Sequence, residues 1–442
     1  MVSIQYRVSG SSAKEISDSL EAGIRAGDLQ SGALLPSVRT LAGELDVAPG
    51  TVAGAYKLLR DRGLVQSRGR QGTFVRPQAT PGARSAPVPI ATGVIDLRSG
   101  QPDPGVLPPL SLLRPPDPAG PAAAPPAFVL PELLALGRER LAADGIRADT
   151  LTLASGGLDG IHRVLAAQLR PGDIVAVEDP GWPNALDLIA AMGLRPHPWP
   201  LDAEGPLPDG LRTALRAGAR AVIITSRAQN PTGAYLTHQR AGELRAVLAD
   251  FPQTLVIEDD HAAELAGVDL ASLSGATDSW AFVRSTSKPF GPDLRLAIVA
   301  GDDATIARVD DRMRVGSGWV STLLQHLVLG LWSSPAVASV VAKAATSYDE
   351  RRDRLIAELA ARGIVAIGRS GLNVWVPVAD ETAVVAGLLQ AGWAVAPGAR
   401  FRQTSGSGVR ITVSELTASI IPTLADDLAT VTAVNPPSHY SA

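Results

Sequence analysis

Cysteine is absent from this chain of 442 residues, which excludes disulfides and thiolate metal sites. Histidine occurs only six times and shows no spacing typical of metal ligands, so no metal site is expected. No apolar run approaches the length of a membrane span, and residues 1–10 lack the hydrophobic stretch of a secretory signal. Because 45% of the residues are hydrophobic, the chain is able to bury a large core, and its length suits two or three domains. We therefore expect a soluble cytoplasmic protein.

The net charge of −4 is unevenly distributed along the chain. Residues 1–76 contain ten Lys and Arg against seven Asp and Glu, a balance of +3, which leaves −7 for the remainder. A small basic segment joined to a larger acidic body suggests two partners of different charge. The charge alone does not identify either partner.

Apolar residues at helical spacing predict three helices within residues 1–76. The first is expected over Ala13–Ala26. Ser37 can cap a second helix, and Pro49 suits the first turn of a third. Since only a three-residue turn, 46–48, separates the second helix from the third, the pattern predicts a helix-turn-helix.

Two β-rich segments, 64–67 and 73–75, follow the third helix and flank a basic, glycine-rich tip, which predicts a β-hairpin. Several polar residues of this region are predicted to be exposed and suit contacts with phosphates and groove edges. These candidate DNA-binding residues are Ser37, Arg39, Thr51, Lys57, Arg68 and Arg70. The alternative interpretation is a small helical bundle with a hairpin and no nucleic-acid partner.

The region 12–76 resembles the winged-helix domain of the GntR regulators. The family's Leu-Pro-Ser-x-Arg motif stands here as Leu35-Pro36-Ser37-Val38-Arg39, and the match ends in the stretch 69–75. The resemblance implies a dimer that reads a two-part operator in double-stranded DNA.

Proline, alanine, glycine, serine and threonine dominate residues 77–94, which predicts a flexible linker between a DNA-binding domain at 1–76 and a larger domain at 95–435. Ten prolines between 102 and 126 indicate a segment that wraps a surface. Beyond it, β-rich and helical segments alternate, which predicts an α/β domain with a mostly parallel sheet. The predicted strands are 174–178, 221–225, 254–258, 281–285 and 296–300.

The residues around Lys288 suit an aldehyde cofactor that carries a phosphate. Lys288 offers an amine for a Schiff base, Ser285 and Ser287 offer hydroxyl donors, and Arg295 offers a fixed cation. Taken alone, Lys288 is more simply explained as a solvated lysine in a polar loop.

Other candidate residues fall where predicted strands end, the edge at which α/β sheets bind ligands. Ser155, Gly156 and Gly157 open a helix whose N-terminus is able to bind phosphate, although Ser-Gly-Gly is a weak signal. Trp182 offers a flat surface for a pyridine ring, and a core tryptophan is equally expected.

Asn230 follows the strand 221–225 and either donates to a phenolic oxygen or lies in an ordinary turn. Asp259 follows the strand 254–258 and either holds a pyridinium nitrogen protonated or caps a helix. No one of these motifs is sufficient to identify a cofactor site.

Together the motifs resemble, in order and approximate spacing, the class I aminotransferases, whose domain is the α/β fold type I of pyridoxal-phosphate-dependent transferases. The resemblance implies that Lys288 forms the Schiff base with pyridoxal 5'-phosphate, that Asp259 pairs with the pyridinium nitrogen, and that Asn230 faces the ring hydroxyl. It implies that Trp182 stacks on the ring and that Arg410 binds the α-carboxylate of an amino acid. The implied phosphate ligands are Ser155, Gly156, Gly157, Ser285, Ser287 and Arg295.

The sequence departs from this family at two places. His261 stands where the family usually has a tyrosine, and an imidazole is still able to reach the ring oxygen. The proline-rich region 102–126 lacks the tyrosine that aminotransferases commonly send to the partner subunit's phosphate. We therefore expect retained cofactor binding with weak or absent turnover.

A winged helix joined through a linker to an aminotransferase-like domain resembles the MocR subfamily of bacterial regulators over almost the whole chain. The resemblance implies a multidomain homodimer that responds to pyridoxal phosphate, alone or with an amino compound, and controls genes of vitamin B6 or amino-compound metabolism. His261 and the region 102–126 favour the cofactor alone as the signal. The alternatives are a working aminotransferase with an accessory N-terminal domain, and a DNA-binding dimer whose large domain serves only assembly.

Overall fold

The computed structural model describes residues 6–26, 28–30, 32–61, 64–67, 72–75, 84, 89–109 and 129–433. The chain divides into two compact units. The first combines the N-terminal residues with the segments Leu169–Ile174 and Asp187–Pro196, and the second comprises the rest. The domain boundaries at 76 and 94 stay predictions.

The N-terminal residues form three helices and a two-stranded antiparallel hairpin, as the sequence predicts. These elements are α1 Ala13–Ala26, α2 Val38–Leu45, α3 Pro49–Asp61, β1 Val65–Ser67 and β2 Thr73–Val75. Ser37 caps α2, because its side chain accepts a hydrogen bond from the Thr40 N–H at 3.1 Å. The predicted helix-turn-helix and hairpin are therefore confirmed.

The helices pack through the apolar positions that their spacing predicts. Leu20 of α1, Leu41 of α2 and Leu59 of α3 are fully buried in one hydrophobic cluster. Each such side chain contributes about 1.5–3 kcal/mol when it is removed from water. The Tyr56 hydroxyl donates a hydrogen bond to the Pro36 carbonyl at 2.7 Å and so ties α3 to the residues that precede α2.

An eight-stranded sheet dominates the larger unit, with the strand order β4-β11-β10-β9-β8-β5-β6-β7. Its strands are β4 Thr150–Ala154, β5 Ile174–Asp179, β6 Arg195–Asp202, β7 Gly205–Pro206, β8 Ala219–Thr225, β9 Leu255–Asp260, β10 Ser279–Ser285 and β11 Ala297–Gly301. Strands β8, β9 and β10 pair in parallel, whereas β11 is antiparallel to both β10 and β4. The five predicted strands are confirmed to within three residues at each end.

Helices follow most of these strands, and four of them begin with proline at the first position, which favours initiation. They are α4 Pro131–Ala143, α5 Gly157–Gln168, α6 Pro183–Ala191, α7 Pro208–Arg216, α8 His238–Leu248, α9 Ser287–Phe290, α10 Asp303–Arg314, α11 Thr322–Ser333, α12 Pro335–Ala361, α13 Glu381–Gln390 and α14 Ile421–Ala433. Within the described ranges no single helix meets the length and apolarity of a membrane span, although α11 and α12 do so as a pair bent by 76°.

A smaller, three-stranded sheet forms in the C-terminal part of the unit. It consists of β12 Asn373–Pro377, β15 Gly408–Thr412 and β14 Ala396–Pro397, with β15 in the middle. A separate two-stranded pair joins β3 Ile95–Asp96 to β13 Trp393–Ala394. The residues of β3, near the start of this unit, are thereby hydrogen-bonded to the unit's C-terminal part.

The parallel strands place their carboxyl ends along one edge of the large sheet. Most candidate site residues lie at the ends of β4, β5, β8, β9 and β10 or in the loops that follow them, whereas Arg410 comes from β15 of the smaller sheet. Of the region 102–126, residues 102–109 are described and contain one 3-10 turn, Pro104–Val106. The expectation that this region wraps a surface otherwise falls outside the described residues.

Candidate functional site

One cavity of about 360 Å³ opens at this edge of the sheet and is lined by most of the predicted cofactor residues. The predicted residues that line it are Gly157, Trp182, Asn230, Asp259, His261, Ser285, Ser287, Lys288, Arg295 and Arg410. The lining residues lie up to 253 positions apart in the sequence, from Gly157 to Arg410, and the packing of separate elements brings them together. Predicted stacking on Trp182, which is half-buried in this lining, stays a prediction.

Asp259 is the penultimate residue of β9, and its carboxylate is almost completely buried. Its Oδ2 lies 3.1 Å from Nδ1 of His261, while its Oδ1 is buried without a hydrogen-bond partner in the described part of the chain. A buried carboxylate oxygen that lacks a donor is costly, and such an oxygen calls for a donor from a ligand. The N–H of a protonated pyridine ring fits this need, so the residues present suit pyridoxal phosphate.

His261 lines the cavity, as expected from the sequence, and its contact with a ring oxygen stays a prediction. Nδ1 of its imidazole lies against the Asp259 carboxylate, which leaves Nε2 for another partner. His261 therefore orients Asp259.

Lys288 lies in α9, directly after β10, and its Nζ projects into the cavity. Nζ donates hydrogen bonds to the Gly100 carbonyl and, at 2.9 Å, to Oε1 of Gln101. Burial, with a smaller effect from the Arg410 cation, lowers the pKa of Lys288 to about 7, and Asp259 opposes this change. A large fraction of the amine is therefore neutral near pH 7, the form that attacks an aldehyde.

The phosphate side of the cavity is formed by the ends of β4 and β10. Nη1 of Arg295 lies 3.5 Å from Oγ of Ser287, and Oγ of Ser285 accepts the Ser287 N–H at 3.3 Å. Gly156 has a φ of +100°, and a Cβ added there would lie 2.6 Å from Nη2 of Arg295. Only glycine allows this close approach of the guanidinium to the backbone.

Two of the predicted phosphate ligands are not among the residues that line the cavity, namely Ser155 and Gly156. The Ser155 N–H donates to Oδ2 of Asp159 at 2.8 Å, because α5 starts here and Asp159 lies in its first turn. Gly156 lies close to the guanidinium of Arg295, which does line the cavity. Gly157, the first residue of α5, remains on the lining and offers its backbone N–H.

Arg410 lies in the middle of β15 and is 4% exposed. Its Nη1 donates to Oδ1 of Asn230 at 2.9 Å, and its Nη2 donates to the Arg98 carbonyl. Burial, together with the nearby Arg400 cation, lowers the pKa of Arg410 to about 9. No carboxylate forms an ion pair with it anywhere in the described ranges, so the cavity contains a cation suited to an anionic group. The Oδ1 of Asn230 is used in this contact, which leaves its Nδ2 as the donor for a ring oxygen.

Three functional residues were missed by sequence reasoning: Gly100, Gln101 and Gln229. The Nε2 of Gln229 donates to Oε2 of Glu178 at 3.0 Å and to the Pro180 carbonyl at 2.9 Å, so it joins the loop that holds Trp182 to the loop that holds Asn230. Burial raises the pKa of Glu178 to about 7. The only signal in the sequence was that Gln229 directly precedes a candidate residue.

The candidate DNA-binding residues lie on the surface of the helix-turn-helix. Ser37, Arg39 and Lys57 are exposed, and Thr51 is half-buried. Arg60 is an exposed cation three residues after Lys57 and lies on the same face of α3. Helical spacing in the sequence was sufficient to identify it as a further candidate. The two predicted basic residues of the hairpin tip, Arg68 and Arg70, lie outside the described residues.

Two protein families match the chain. The family described as aminotransferase class I and II matches residues 137–428, and the family described as bacterial regulatory proteins, gntR family, matches residues 12–75. Pyridoxal phosphate is the cofactor of the first family, and a DNA-binding winged helix defines the second.

Two regulators are similar to the chain over nearly its whole length. The vitamin B6 salvage pathway transcriptional repressor PtsJ of Salmonella typhimurium is 41% identical and covers 95% of this chain and 98% of its own. The transcriptional regulator TauR of Rhodobacter capsulatus is 28% identical, and the match covers 86% of this chain and 87% of TauR.

Solved aminotransferases share the fold of the larger unit. A kynurenine aminotransferase from Pyrococcus horikoshii has a TM-score of 0.69 at 19% identity and covers 79% of this chain and 93% of its own. An archaeal alanine:glyoxylate aminotransferase has a TM-score of 0.68 at 20% identity, and the match covers 77% of this chain and 91% of the aminotransferase. These matches, with the cavity and the helix-turn-helix, show that the chain belongs to the MocR subfamily of GntR-type transcription regulators, which join a DNA-binding winged helix to a pyridoxal-phosphate-binding aminotransferase domain of fold type I.

Proposed function

We propose that this protein is a cytoplasmic homodimer that attaches pyridoxal phosphate to Lys288 and thereby changes its affinity for a DNA operator. The observation that carries the proposal is the buried Oδ1 of Asp259, which has no hydrogen-bond partner among the described residues and lies in the same cavity as Lys288. A purely structural cavity gives no reason for an unsatisfied carboxylate beside an amine of lowered pKa.

The roles of the side chains follow from their contacts. The cofactor contributes an aldehyde that an amine attacks and a ring nitrogen that accepts a proton. Lys288 supplies the amine, and Asp259, oriented by His261, accepts the ring N–H. Trp182 offers a flat surface for the ring, and Asn230 donates to a ring oxygen. The phosphate is held by Gly157, Ser285, Ser287 and Arg295, with Gly156 allowing Arg295 to approach.

The DNA is read by α3, whose exposed face carries Lys57 and Arg60, with Arg39 and Ser37 from the start of α2 and Thr51 from the start of α3. Arg68 and Arg70 at the hairpin tip are proposed to contact phosphates. Genes of vitamin B6 supply are the proposed targets, because the relative named as a vitamin B6 salvage repressor is 41% identical over 95% of the chain.

A working aminotransferase is the second candidate, and Arg410 favours it. A buried guanidinium without an acidic partner in the described ranges suits the α-carboxylate of an amino acid. Sustained turnover of an amino donor and a keto acid, unchanged after removal of residues 1–76, would establish this function in place of regulation.

The test compares Lys288→Ala with Lys343→Ala, which removes an exposed lysine of α12. Binding to DNA fragments from the gene's own neighbourhood is measured by fluorescence anisotropy at fixed salt, with and without pyridoxal phosphate. In the unchanged protein and in Lys343→Ala the cofactor changes Kd about tenfold, a coupling of ~1.4 kcal/mol. Lys288→Ala keeps basal DNA binding and loses both the Schiff-base absorbance and the response. The proposal is wrong if the unchanged protein binds none of the fragments under either condition.

A further inference from the structure

We propose that Arg84, within the predicted linker 77–94, couples the cofactor cavity to DNA binding through its contact with the segment 398–402. The proposal rests on the proposed function, and it names the contact by which the same cavity regulates the affinity for DNA. It makes Arg84 a positioning residue, because Arg84 holds the backbone and the side chain of Arg400, and Arg400 is the residue that lines the cavity.

Arg84 and the segment 398–402 are hydrogen-bonded to each other in both directions. The guanidinium Nη1 of Arg84 donates to three carbonyls, those of Ala399, Arg400 and Arg402, at 3.4, 3.3 and 3.1 Å. In return, Nε of Arg400 donates to the Arg84 carbonyl. The segment begins with a 3-10 turn, and the carbonyls at the end of such a turn lack partners within it, so a cation is a suitable donor for them. Arg84 is also the residue at which the second compact unit begins, so this contact lies within that unit.

The same segment contributes two residues to the lining of the cofactor cavity, Arg400 and Phe401. The ring of Phe401 packs against the guanidinium of Arg410, whose Cζ lies 4.9 Å from the ring centroid. The Phe401 carbonyl accepts the Gly181 N–H at 2.8 Å, beside Trp182, which is the proposed stacking surface for the cofactor ring. A ligand that fills the cavity therefore lies against the segment that Arg84 holds.

Two carboxylates hold this segment and the residues that follow it. Oε1 of Glu381 accepts the Ala399 N–H at 2.8 Å. Asp179, the last residue of β5, accepts the backbone N–H groups of residues 403–405 at 2.8, 2.7 and 2.9 Å. Because the segment is fixed at both ends, a change at the cavity lining is not absorbed by a loose loop and is passed to the carbonyls that bind Arg84.

A filled cavity should strengthen the attachment of Arg84. A ligand stabilises the conformation of the residues that it touches, here Arg400 and Phe401, and so lowers the frequency with which their segment opens. Because coupling between two sites is reciprocal, the contact with Arg84 gains the same stabilisation. We therefore expect the cofactor to hold the linker more tightly at Arg84. Loss of this contact should reduce the effect of the cofactor on the Kd for DNA from about tenfold to about twofold or less.

Limited digestion of the full-length protein with trypsin measures this contact directly and without DNA. Arg84 is the one basic residue in 77–97, so mass spectrometry identifies cleavage after it unambiguously. Cleavage requires the Arg84 side chain to leave its carbonyl partners, and saturating pyridoxal phosphate should slow it about threefold or more. Arg400→Gln should remove this difference at a cofactor concentration that saturates the Schiff-base absorbance. The matched control is Arg245→Gln, which removes a guanidinium that likewise bridges backbone carbonyls but does not line the cavity, and it should keep the difference.

The second measurement follows the effect of the cofactor on DNA binding, with fragments from the gene's own neighbourhood. Arg84→Gln should keep the Schiff-base absorbance and reduce the cofactor's effect on Kd to about twofold or less, whereas Arg245→Gln keeps the effect of about tenfold. Arg84→Lys retains a donor for the carbonyls and should restore part of the effect. If Arg84 acts through Arg400, the double variant of Arg84→Gln and Arg400→Gln loses no more of the effect than the stronger single variant does.

The proposal is overturned if the cofactor leaves the cleavage after Arg84 as fast as before or accelerates it, or if Arg84→Gln keeps the full effect of the cofactor on Kd. Should Arg84→Gln fail to fold, the digestion of the unchanged protein decides alone. The two assays also separate this contact from the proposed function. A Kd that responds to the cofactor, with unaltered cleavage, refutes only the role of Arg84. Slower cleavage with a Kd that ignores the cofactor refutes the proposed function and leaves the link between the cavity and Arg84 in place.

Discussion

The lowered pKa of Lys288 predicts an unusual pH dependence of cofactor attachment. With a pKa of about 7, the amine is about 9% neutral at pH 6, about half neutral at pH 7 and about 91% neutral at pH 8. Only the neutral amine attacks the aldehyde, so the attachment rate should rise about tenfold between pH 6 and 8 and then level off. A lysine with an ordinary pKa of about 10.4 would instead gain about tenfold per pH unit up to pH 10.

The charges around Lys288 predict how variants move this midpoint. Arg410 disfavours the ammonium form, so Arg410→Gln should raise the pKa and shift the midpoint upward by about one unit. Asp259 favours the ammonium form, so Asp259→Asn should shift the midpoint downward. Arg216→Gln, at an exposed position that ends α7, is the control and should leave the midpoint in place.

The assay is stopped-flow mixing of protein with pyridoxal phosphate, with the rise of Schiff-base absorbance recorded from pH 5.5 to 9.5. Two results would refute the reasoning. The first is a rate in the unchanged protein that still grows about tenfold per unit above pH 8. The second is a midpoint that moves downward in Arg410→Gln, because removal of a neighbouring cation must favour protonation.

Two further perturbations test the rest of the structure. Gln229→Leu removes a donor to the buried Glu178 carboxylate and should lower the free energy of unfolding by about 1–3 kcal/mol. Thermal and urea unfolding measure this change. An unchanged unfolding midpoint would show that Gln229 is dispensable for stability. Lys57→Ala and Arg60→Ala should each weaken operator binding and reduce the slope of log K against log salt by about 1. Lys14→Ala, an exposed cation of α1, serves as the charge-matched control, and an equal loss there would place the DNA elsewhere.

Local periodicity was sufficient to predict the elements whose burial depends on near neighbours. The helix α1 begins and ends where the spacing of its apolar residues predicts, and Ser37 caps α2 as expected. The five strands were recognisable because strands that are buried on both faces are short apolar runs. By contrast, β6 was missed, since Pro196, Pro198 and Pro200 interrupt it near the edge of the sheet, where proline is tolerated.

The chemistry of the candidate site was also visible in the residue types. A lysine, an aspartate, small hydroxyl residues and an arginine, placed near the ends of predicted strands, suited an aldehyde cofactor with a phosphate, and their joint resemblance to the aminotransferases predicted pyridoxal phosphate. The order of these motifs along the chain carried the information, because the carboxyl ends of parallel strands share one edge.

Only the tertiary structure decided which of these groups touch. Gly100 and Lys288 are 188 residues apart, and Arg98 and Arg410 are 312 apart, so no local pattern links them. His261 turned toward Asp259, and Gln229 became a bridge between two loops, because the packed sheet set their distances. Sequence periodicity reports whether a residue faces the interior, whereas the partner that it meets there depends on how separate elements pack.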